Sequence, residues 1–498
     1  MTSTMPDDRL DLGAMPVPGG FFLLRDVRPT PFAATPQPGE HRHVFSYRDS
    51  EPSIQQAAVE LVRRARKKIF LASFRIGDKA LLNALFEAVE RLRGGVYVIT
   101  AWNERSLSQG LSALEEDAGA DIAAQRHRFE EMTKRGIFVR GYDNCHAKFL
   151  VVDDETALVS SANLETSALI DRPERKVTGE SGILMTDADE ARRLARFFTR
   201  MWHADCRWEA PPGEAYALAR RLPTRSPCRP DPPLDGRASV IWTHDDERHI
   251  LRTIHDVIDL ARHEVLLATF GLRGLISEPG LLHDRVAAAV ERGVQVTLLC
   301  RARNNLAGHR DEALALSALG VHVVGDSLNH AKGIIADGRH GALFSANLDG
   351  EHGLTSGAEV GVRLDGSPAL AEAERYLRHA IEHADLEFVV SPTQAQLNAR
   401  LGAEWRQPWP GPALAKVSVD DEAWHALAAT EPPMLYTQSR GVTRLHAGGG
   451  EWAVDGSRLT MTKMPQRASQ TRDMMNSWWA RSARGERRGF CSAVLVRE

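Results

Sequence analysis

Two stretches of the chain carry the same spacing of polar residues: HAKFLVVDDETALVSSAN from His146 to Asn163, and HAKGIIADGRHGALFSAN from His330 to Asn347. His146, Lys148, Asp153, Ser161 and Asn163 in the first match His330, Lys332, Asp337, Ser345 and Asn347 in the second. A single short motif is weak evidence, but five matched positions occurring twice are beyond motif noise. A unit written twice must fold twice, so the chain is constrained to two similar halves.

Each copy reads as a β-hairpin, an apolar strand reversing into a second apolar strand. Asp153-Asp154-Glu155 and Asp337-Gly338-Arg339 supply the turns, since such residues favour tight reversals. Side chains alternate along a strand, so His146 and Lys148 are expected on one face, with Ser161 and Asn163 on the returning strand. Each hairpin thus gathers an imidazole, an ammonium, a hydroxyl and a carboxamide, a set suited to holding an oxyanion such as phosphate. Two patches face to face would make one pocket with two imidazoles.

The doubled pattern H-x-K-x4-D-x6-(G)-S-x-N resembles that of the phospholipase D superfamily, the HKD phosphodiesterases, over about residues 50–390. The resemblance implies an α/β fold of two pseudo-twofold-related α/β/α halves, a site at their interface, and neither catalytic metal nor cofactor. It implies that one motif histidine, taken as His146, attacks phosphorus to give a covalent phosphohistidine. The other, His330, would protonate the leaving group and then activate the resolving water or alcohol. An imidazole suits both roles because its unperturbed pKa is about 6.5. Lys148 and Lys332 complete the catalytic set. Asn163, Asn347, Ser161 and Ser345 are expected to bind phosphate, the serines alternatively bracing a histidine. Asp153 and Asp337, at the turns, are expected to be structural. Glu180 in GESGILM and Glu359 in GAEVGVRL are expected to orient the histidines, as carboxylates do in other His-based sites. The glycine usual before the motif serine is Ser160 in one copy and Phe344 in the other; a phenylalanine there is expected to narrow the pocket.

The flanking sequence is duplicated as well. AVELVRRARKKIFLASF and IHDVIDLARHEVLLATF both read as an amphipathic helix entering an apolar strand that ends in Ser73-Phe74 or Thr269-Phe270. AVERLRGGVYVIT and AVERGVQVTLLC then repeat a helix and strand. The order strand, helix, strand, helix, hairpin therefore appears twice, which argues for layered α/β architecture. Residues 1–215 are read as an N-terminal segment plus the first half, 216–237 as a Pro-rich linker, 238–390 as the second half, and 391–498 as a Trp-rich C-terminal domain of unknown type. The linker reading rests on LPTRSPCRPDPPLDGR.

At 498 residues, with 43% hydrophobic and 26% charged content, the composition is that of an ordinary globular protein. The early run GGFFLL is too short for a secretory signal, and no apolar run approaches the ~20 residues of a membrane span. A cytoplasmic location is expected. Five cysteines without paired metal spacing fit reduced thiols, and His203 with Cys206 lacks a second ligand pair. Cys145 should turn away from His146 into the core.

Basic residues at Arg63, Arg64, Arg66, Lys67 and Lys68 read as a solvated helix end. Arg301 and Arg303 follow an apolar strand at its C-terminal end, where α/β sheets often bind ligands, and are candidate substrate contacts. From Lys463 onward eight Lys/Arg stand against three Asp/Glu, interleaved with Trp478, Trp479 and Phe490. That mixture suits a nucleic-acid backbone and its bases, or an aromatic core beneath a charged face. Nucleic acid is the first expectation for the substrate, making the chain a nuclease on DNA or RNA. A net charge of −4 does not exclude a local basic groove. The alternative is a cytosolic or peripheral phospholipase D or phosphatidyl transferase acting on phospholipid headgroups. A non-enzymatic phosphate-binding scaffold is least favoured, since both copies keep every residue type. With both motifs in one chain, a complete site needs no dimer.

Overall fold

The computed structural model describes residues 9–101, 122–210, 212–213, 220–223, 239–401, 417–419, 421–430, 432–439, 442–448, 450–455, 458–463, 487–492 and 494–497. Most of the Pro-rich linker, Cys228, Trp478 and Trp479 lie outside the described residues. The chain forms two compact units, residues 28–301 with 319–383, and residues 1–27 with 302–318 and 384–498.

The larger unit holds both repeats. In the first, seven strands lie side by side in the order Phe138–Gly141, Val96–Thr100, Ile69–Ser73, Phe149–Val152, Thr156–Ser160, Glu180–Met185 and His41–Ser46. In the second, the same order runs His322–Asp326, Gln295–Arg301, Glu264–Thr269, Gly333–Ala336, His340–Phe344, Glu359–Arg363 and Val240–His244. In both sheets the first three strands are parallel and the remaining pairings antiparallel. The mixed α/β architecture matches the fold expected from the sequence. Each repeat holds more strands than the sequence suggests: Phe138–Gly141 and His322–Asp326 precede the hairpins, and His41–Ser46 and Val240–His244 open the repeats.

Helices cover the sheets because their apolar residues recur at helical spacing. In Ser53–Arg64 the buried residues include Ile54, Ala57, Ala58, Leu61 and Val62, a stripe at i, i+3, i+4, i+7 and i+8. Helix Lys79–Arg91 starts where Asp78 accepts a hydrogen bond from the Leu81 amide, and Asp187 caps Ala188–Arg200 in the same way. These helices and the sheet enclose one core that includes Leu71, Leu85, Val98 and Leu150.

The hairpins form where the sequence places them. Asp153 and Asp154 have φ of 58° and 59°, and Asp337 and Gly338 of 52° and 63°, the left-handed region that Asp and Gly tolerate. Each motif aspartate also works as a clamp. Asp153 accepts hydrogen bonds from the amides of Arg66, Lys67 and Lys68 at 2.7, 2.7 and 3.0 Å. Asp337 accepts from Arg262, His263 and Glu264 at 2.7, 2.9 and 2.8 Å. One carboxylate thus satisfies three donors between a helix end and the next strand, fixing the hairpin against the strand beside it. The basic run at residues 63–68 serves the same junction: Lys68 pairs with Asp154 at 2.8 Å and Lys67 with Glu155 at 3.3 Å.

In the smaller unit, strand Gly20–Leu24 pairs antiparallel with Leu386–Val390. Asn304 braces it, accepting from the Phe22 amide at 2.8 Å and donating to the Phe22 carbonyl at 2.7 Å. A second sheet runs Arg9–Asp11, Val494–Arg497, Val417–Val419, Arg458–Lys463, Gly450–Asp455, Val442–Ala447, Leu435–Ser439 and Arg487–Phe490. Residues 1–27 therefore group with the C-terminal region, whereas the sequence reading joined them to the first half; pairing with strands distant in sequence is the reason. Trp424 and Trp452 are buried in this unit's core, and Phe490, from the basic-aromatic segment, is buried too. Among the described residues no helix is long and apolar enough to cross a membrane.

Burial makes the Asp337 carboxyl costly to ionise, but the three amides outweigh this and hold it below the ordinary aspartate range. A depressed folded-state pKa contributes stability above the unfolded value of about 3.9 that is lost as pH falls through the folded value. Asp337→Ala should destabilise the larger unit at pH 7 by about 1.5–3 kcal/mol, with the difference from wild type shrinking below about pH 4. Denaturant titration across that range checks it; a variant as stable as wild type at pH 7 would remove the clamp from the account.

Candidate active site

The motif residues cluster at the end of each hairpin opposite its turn. His146 to Lys148 lie in the extended segment just before strand Phe149–Val152, and Ser161 to Asn163 just after Thr156–Ser160. The second repeat places His330 to Lys332 and Ser345 to Asn347 alike.

These ends meet across the two repeats. The His146 amide donates to the Ala358 carbonyl at 3.0 Å, and the Ala358 amide to the Asn144 carbonyl at 3.0 Å. The His330 amide donates to Gly179 and the Gly179 amide to Leu328, both at 2.8 Å. Each histidine segment is therefore bridged to the residue just before the other repeat's glutamate. The side chains complete the exchange. Nδ1 of His146 lies 2.7 Å from Oε1 of Glu359, and Nδ1 of His330 lies 2.8 Å from Oε1 of Glu180. With Nδ1 engaged by a carboxylate, Nε2 is the nitrogen of each ring that could act on a substrate.

Ser161 Oγ donates to Glu180 at 2.6 Å and accepts from the Ser181 amide at 3.0 Å. Ser345 Oγ donates to Glu359 and accepts from the Val360 amide at 3.0 Å. A hydroxyl has one proton to give, and here it goes to a carboxylate. Of the two roles expected of these serines, binding phosphate or bracing a histidine, the bonds are those of bracing: each hydroxyl meets the glutamate that holds the opposite repeat's histidine. Each Oδ1 of Asn163 and Asn347 is buried without a hydrogen-bond partner and, being an acceptor, calls for a donor; Nδ2 is the atom of each amide able to donate to phosphate. Lys148 and Lys332 are 1% and 0% exposed, and each Nζ donates to the carbonyl of its own motif histidine, at 2.7 and 2.9 Å. Each ammonium thus stands buried beside its histidine, with the carboxylates of Glu180 and Glu359 near them.

The two carboxylates differ. Burial pushes Glu359 upward, but the adjoining His146, then Lys148 and the Ser345 hydroxyl, bring it below the ordinary range. For Glu180 burial prevails over Lys332 and the hydroxyls of Ser161 and Thr178, so its pKa is raised. Thr178 Oγ1 donates to Glu180 at 2.8 Å. It is a partner that sequence reasoning missed, since Gly357 occupies the matching place in the second copy.

Ser160 and Phe344, standing where the pattern has glycine, are both buried. Phe344 is the last residue of its strand, and alternation turns it away from Leu343. The room comes from across the sheet: Ser160 faces Gly182 and Phe344 faces Gly361. A Cβ on Gly361 would lie 2.7 Å from Cβ of Phe344 and 2.8 Å from the Leu343 carbonyl. Cys145 is buried, as expected. Arg301 ends its strand with its guanidinium 5.3 Å from the Phe270 ring centroid, while Arg303 falls in the smaller unit. Asp205, His244 and Asp245 converge at ligand spacing, but Arg200 is 2.5 Å from Nδ1 of His244 and occupies that coordination position.

The family described as "Cardiolipin synthase, PLD-like domain" matches residues 58–202 and 254–381, more than half of the chain. Among curated proteins no sequence matches. Among solved structures, phosphatidylserine synthase of Haemophilus influenzae is similar at 16% identity and a TM-score of 0.51, covering 80% of this chain and 93% of that one. Polyphosphate kinase of Porphyromonas gingivalis is 14% identical over 65% of this chain and 47% of that one, with a TM-score of 0.41. Nuc of Salmonella typhimurium, a phospholipase D family member, is 17% identical over 34% of this chain and 99% of that one, with a TM-score of 0.27.

Gly361→Ala should cost about 1–3 kcal/mol through overpacking against Phe344. The double change Gly361→Ala with Phe344→Gly, which removes the opposing Cβ, should cost less than the sum of the two single changes. Denaturation midpoints test the pair, and additive losses would show that the two positions do not compete for one space.

Proposed function

Because the chain belongs to the phospholipase D-like family, we propose that it cleaves a phosphodiester between two histidines through a covalent phosphohistidine, without a metal in the chemical step. The observation that carries this reading is the exchanged pairing of His146 with Glu359 and His330 with Glu180. It supports two imidazoles whose Nδ1 is held by a carboxylate, with Nε2 assigned the chemistry.

In the first step Nε2 of His146 attacks phosphorus with its lone pair, and the bond from phosphorus to the leaving oxygen breaks. That oxygen takes a proton from Nε2 of His330. In the second step neutral His330 removes a proton from water or an alcohol, whose oxygen attacks phosphorus and breaks the P–N bond. Glu359 and Glu180 stabilise the positive charge that each ring carries in turn. Lys148, Lys332, Asn163 and Asn347 bind the non-bridging oxygens, where negative charge develops.

Nucleic acid is the first reading of the substrate. It is supported by the segment from Lys463, which holds eight Lys/Arg against three Asp/Glu among aromatic residues. A phospholipid headgroup is the second reading. It is favoured by the matching family's description, and phosphatidylserine synthase shares the fold.

Purified protein incubated in EDTA with single- and double-stranded DNA, RNA and phospholipid vesicles is expected to cleave the nucleic acids. Headgroup release alone would move the assignment to the second reading, and activity that requires a divalent ion would contradict the mechanism. His146→Ala and His330→Ala should each abolish turnover. Glu359→Gln should lower it by roughly 10²–10⁴, the range of a general acid–base contribution; unaltered rates would leave the carboxylates without a role.

A further inference from the structure

The repeated strands Ile69–Ser73 and Glu264–Thr269 are each followed by a phenylalanine. Phe74 and the His146 ring pack in a T-shaped arrangement at 5.6 Å between centroids, and Phe270 and His330 likewise at 5.0 Å. The same two rings lie beneath the lysines of their own motifs, with Nζ of Lys148 6.0 Å from the Phe74 centroid and Nζ of Lys332 5.5 Å from that of Phe270. A third cation sits over each, Arg75 at 5.6 Å and Arg301 at 5.3 Å. Both rings are fixed by the same local device. Ser73 donates to the Arg75 carbonyl at 2.6 Å and Thr269 to the Gly271 carbonyl at 2.9 Å. These hydroxyls also accept from the amides of Leu164 and Leu348, the residues just after Asn163 and Asn347.

We propose that Phe74 and Phe270 are positioning residues that act as neutral counter-charges, each favouring the cationic form of the histidine it touches. The inference rests on the two-histidine reading above. A site that must attract phosphate has to gather cations, and every added carboxylate would cancel the potential that draws the substrate. The negative face of an aromatic ring attracts cations without contributing net charge. Each ring therefore offsets part of the repulsion among an imidazolium, an ammonium and a guanidinium while leaving their net charge available to an anion.

Other groups also bear on each imidazole. At His146 they are Glu359 from the opposite repeat, Lys148, and the adjoining Cys145 thiol, which burial pushes up to about 12 and so keeps neutral. At His330 they are Glu180, with Ser161 and Thr178 bonded to it, and Lys332. These groups remain when a phenylalanine is changed, so the ring's contribution is separable. Loss of a ring destabilises the imidazolium and moves that histidine's titration to lower pH. In the proposed cycle His146 must be neutral to attack and His330 protonated to donate. Phe74 therefore governs the acidic limb of the rate profile, and Phe270 the alkaline limb.

The test is NMR titration of the full chain carrying ¹³Cε1-labelled histidine, with His146 and His330 assigned from His146→Gln and His330→Gln. Phe74→Leu should lower the His146 midpoint by about 0.5–1 pH unit and leave His330 in place, with Phe270→Leu doing the converse. Phe74→Trp should restore it. If leucine prevents folding, pentafluorophenylalanine at position 74 or 270 keeps the shape while reversing the ring's charge distribution, and the same downward shift is expected. Unmoved midpoints in folded leucine or fluorinated variants would overturn the proposal, leaving the rings as packing alone. Because this readout needs no substrate, it stands apart from a failure of the phosphodiesterase reading, which would appear as absence of EDTA-resistant cleavage by the wild-type chain.

Discussion

The exchanged carboxylate–imidazole pairs are the interaction on which the candidate site depends. Glu359 of the second repeat holds His146 of the first, and Glu180 of the first holds His330 of the second. Neither repeat contains a finished half-site, because the group that fixes each imidazole arrives from the other. The backbone bridges beside both pairs, Cys145 with Ala358 and Gly179 with Asn329, tie the repeats at the same place. Removing either glutamate would strip a buried imidazole of its partner and loosen the join at once.

Away from the chemistry, the motif aspartates do a different job in the same hairpins. Asp153 and Asp337 each gather three amides at the turn end, while the imidazoles stand at the opposite end. One motif thus encodes both the site and the fastening that sets where the site sits. Ser161 and Ser345 belong to the site end but act at one remove, each spending its proton on a glutamate. The repeats are alike in plan and unlike in charge environment: Thr178 serves Glu180 alone, Glu180 is raised and Glu359 lowered. Such a separation suits two histidines that must perform different steps.

Much of this was legible in the sequence. The hairpins, the turn residues and the orienting glutamates could be placed because five polar residues and their apolar frames occur twice at equal spacing. Strands Phe138–Gly141 and His322–Asp326 could not, since FVRG and HVVGD are too short to show a period of two. Which histidine each glutamate serves was also unreadable: the exchange is a property of two repeats facing one another, and spacing along one repeat carries no trace of it. Phe74 and Phe270 left a visible signal, as both strands end in a hydroxyl residue followed by phenylalanine. Their closeness to the histidines is tertiary, so that signal had no meaning until the rings were placed. The burial of Phe490 illustrates the converse, because an aromatic residue in a basic-aromatic context reads equally as a stacking platform or a core residue.

The central claim is that one of two carboxylate-held histidines becomes covalently attached to phosphorus. It is tested most directly by alkaline denaturation of the His330→Ala variant after reaction with bis(p-nitrophenyl) phosphate in EDTA, which spares the P–N bond, then mapping the adduct by mass spectrometry. The account predicts a p-nitrophenyl phosphoryl group on the peptide containing His146, with the modification on the histidine itself. An adduct on a serine, or none while the wild-type chain turns the same ester over, would contradict it.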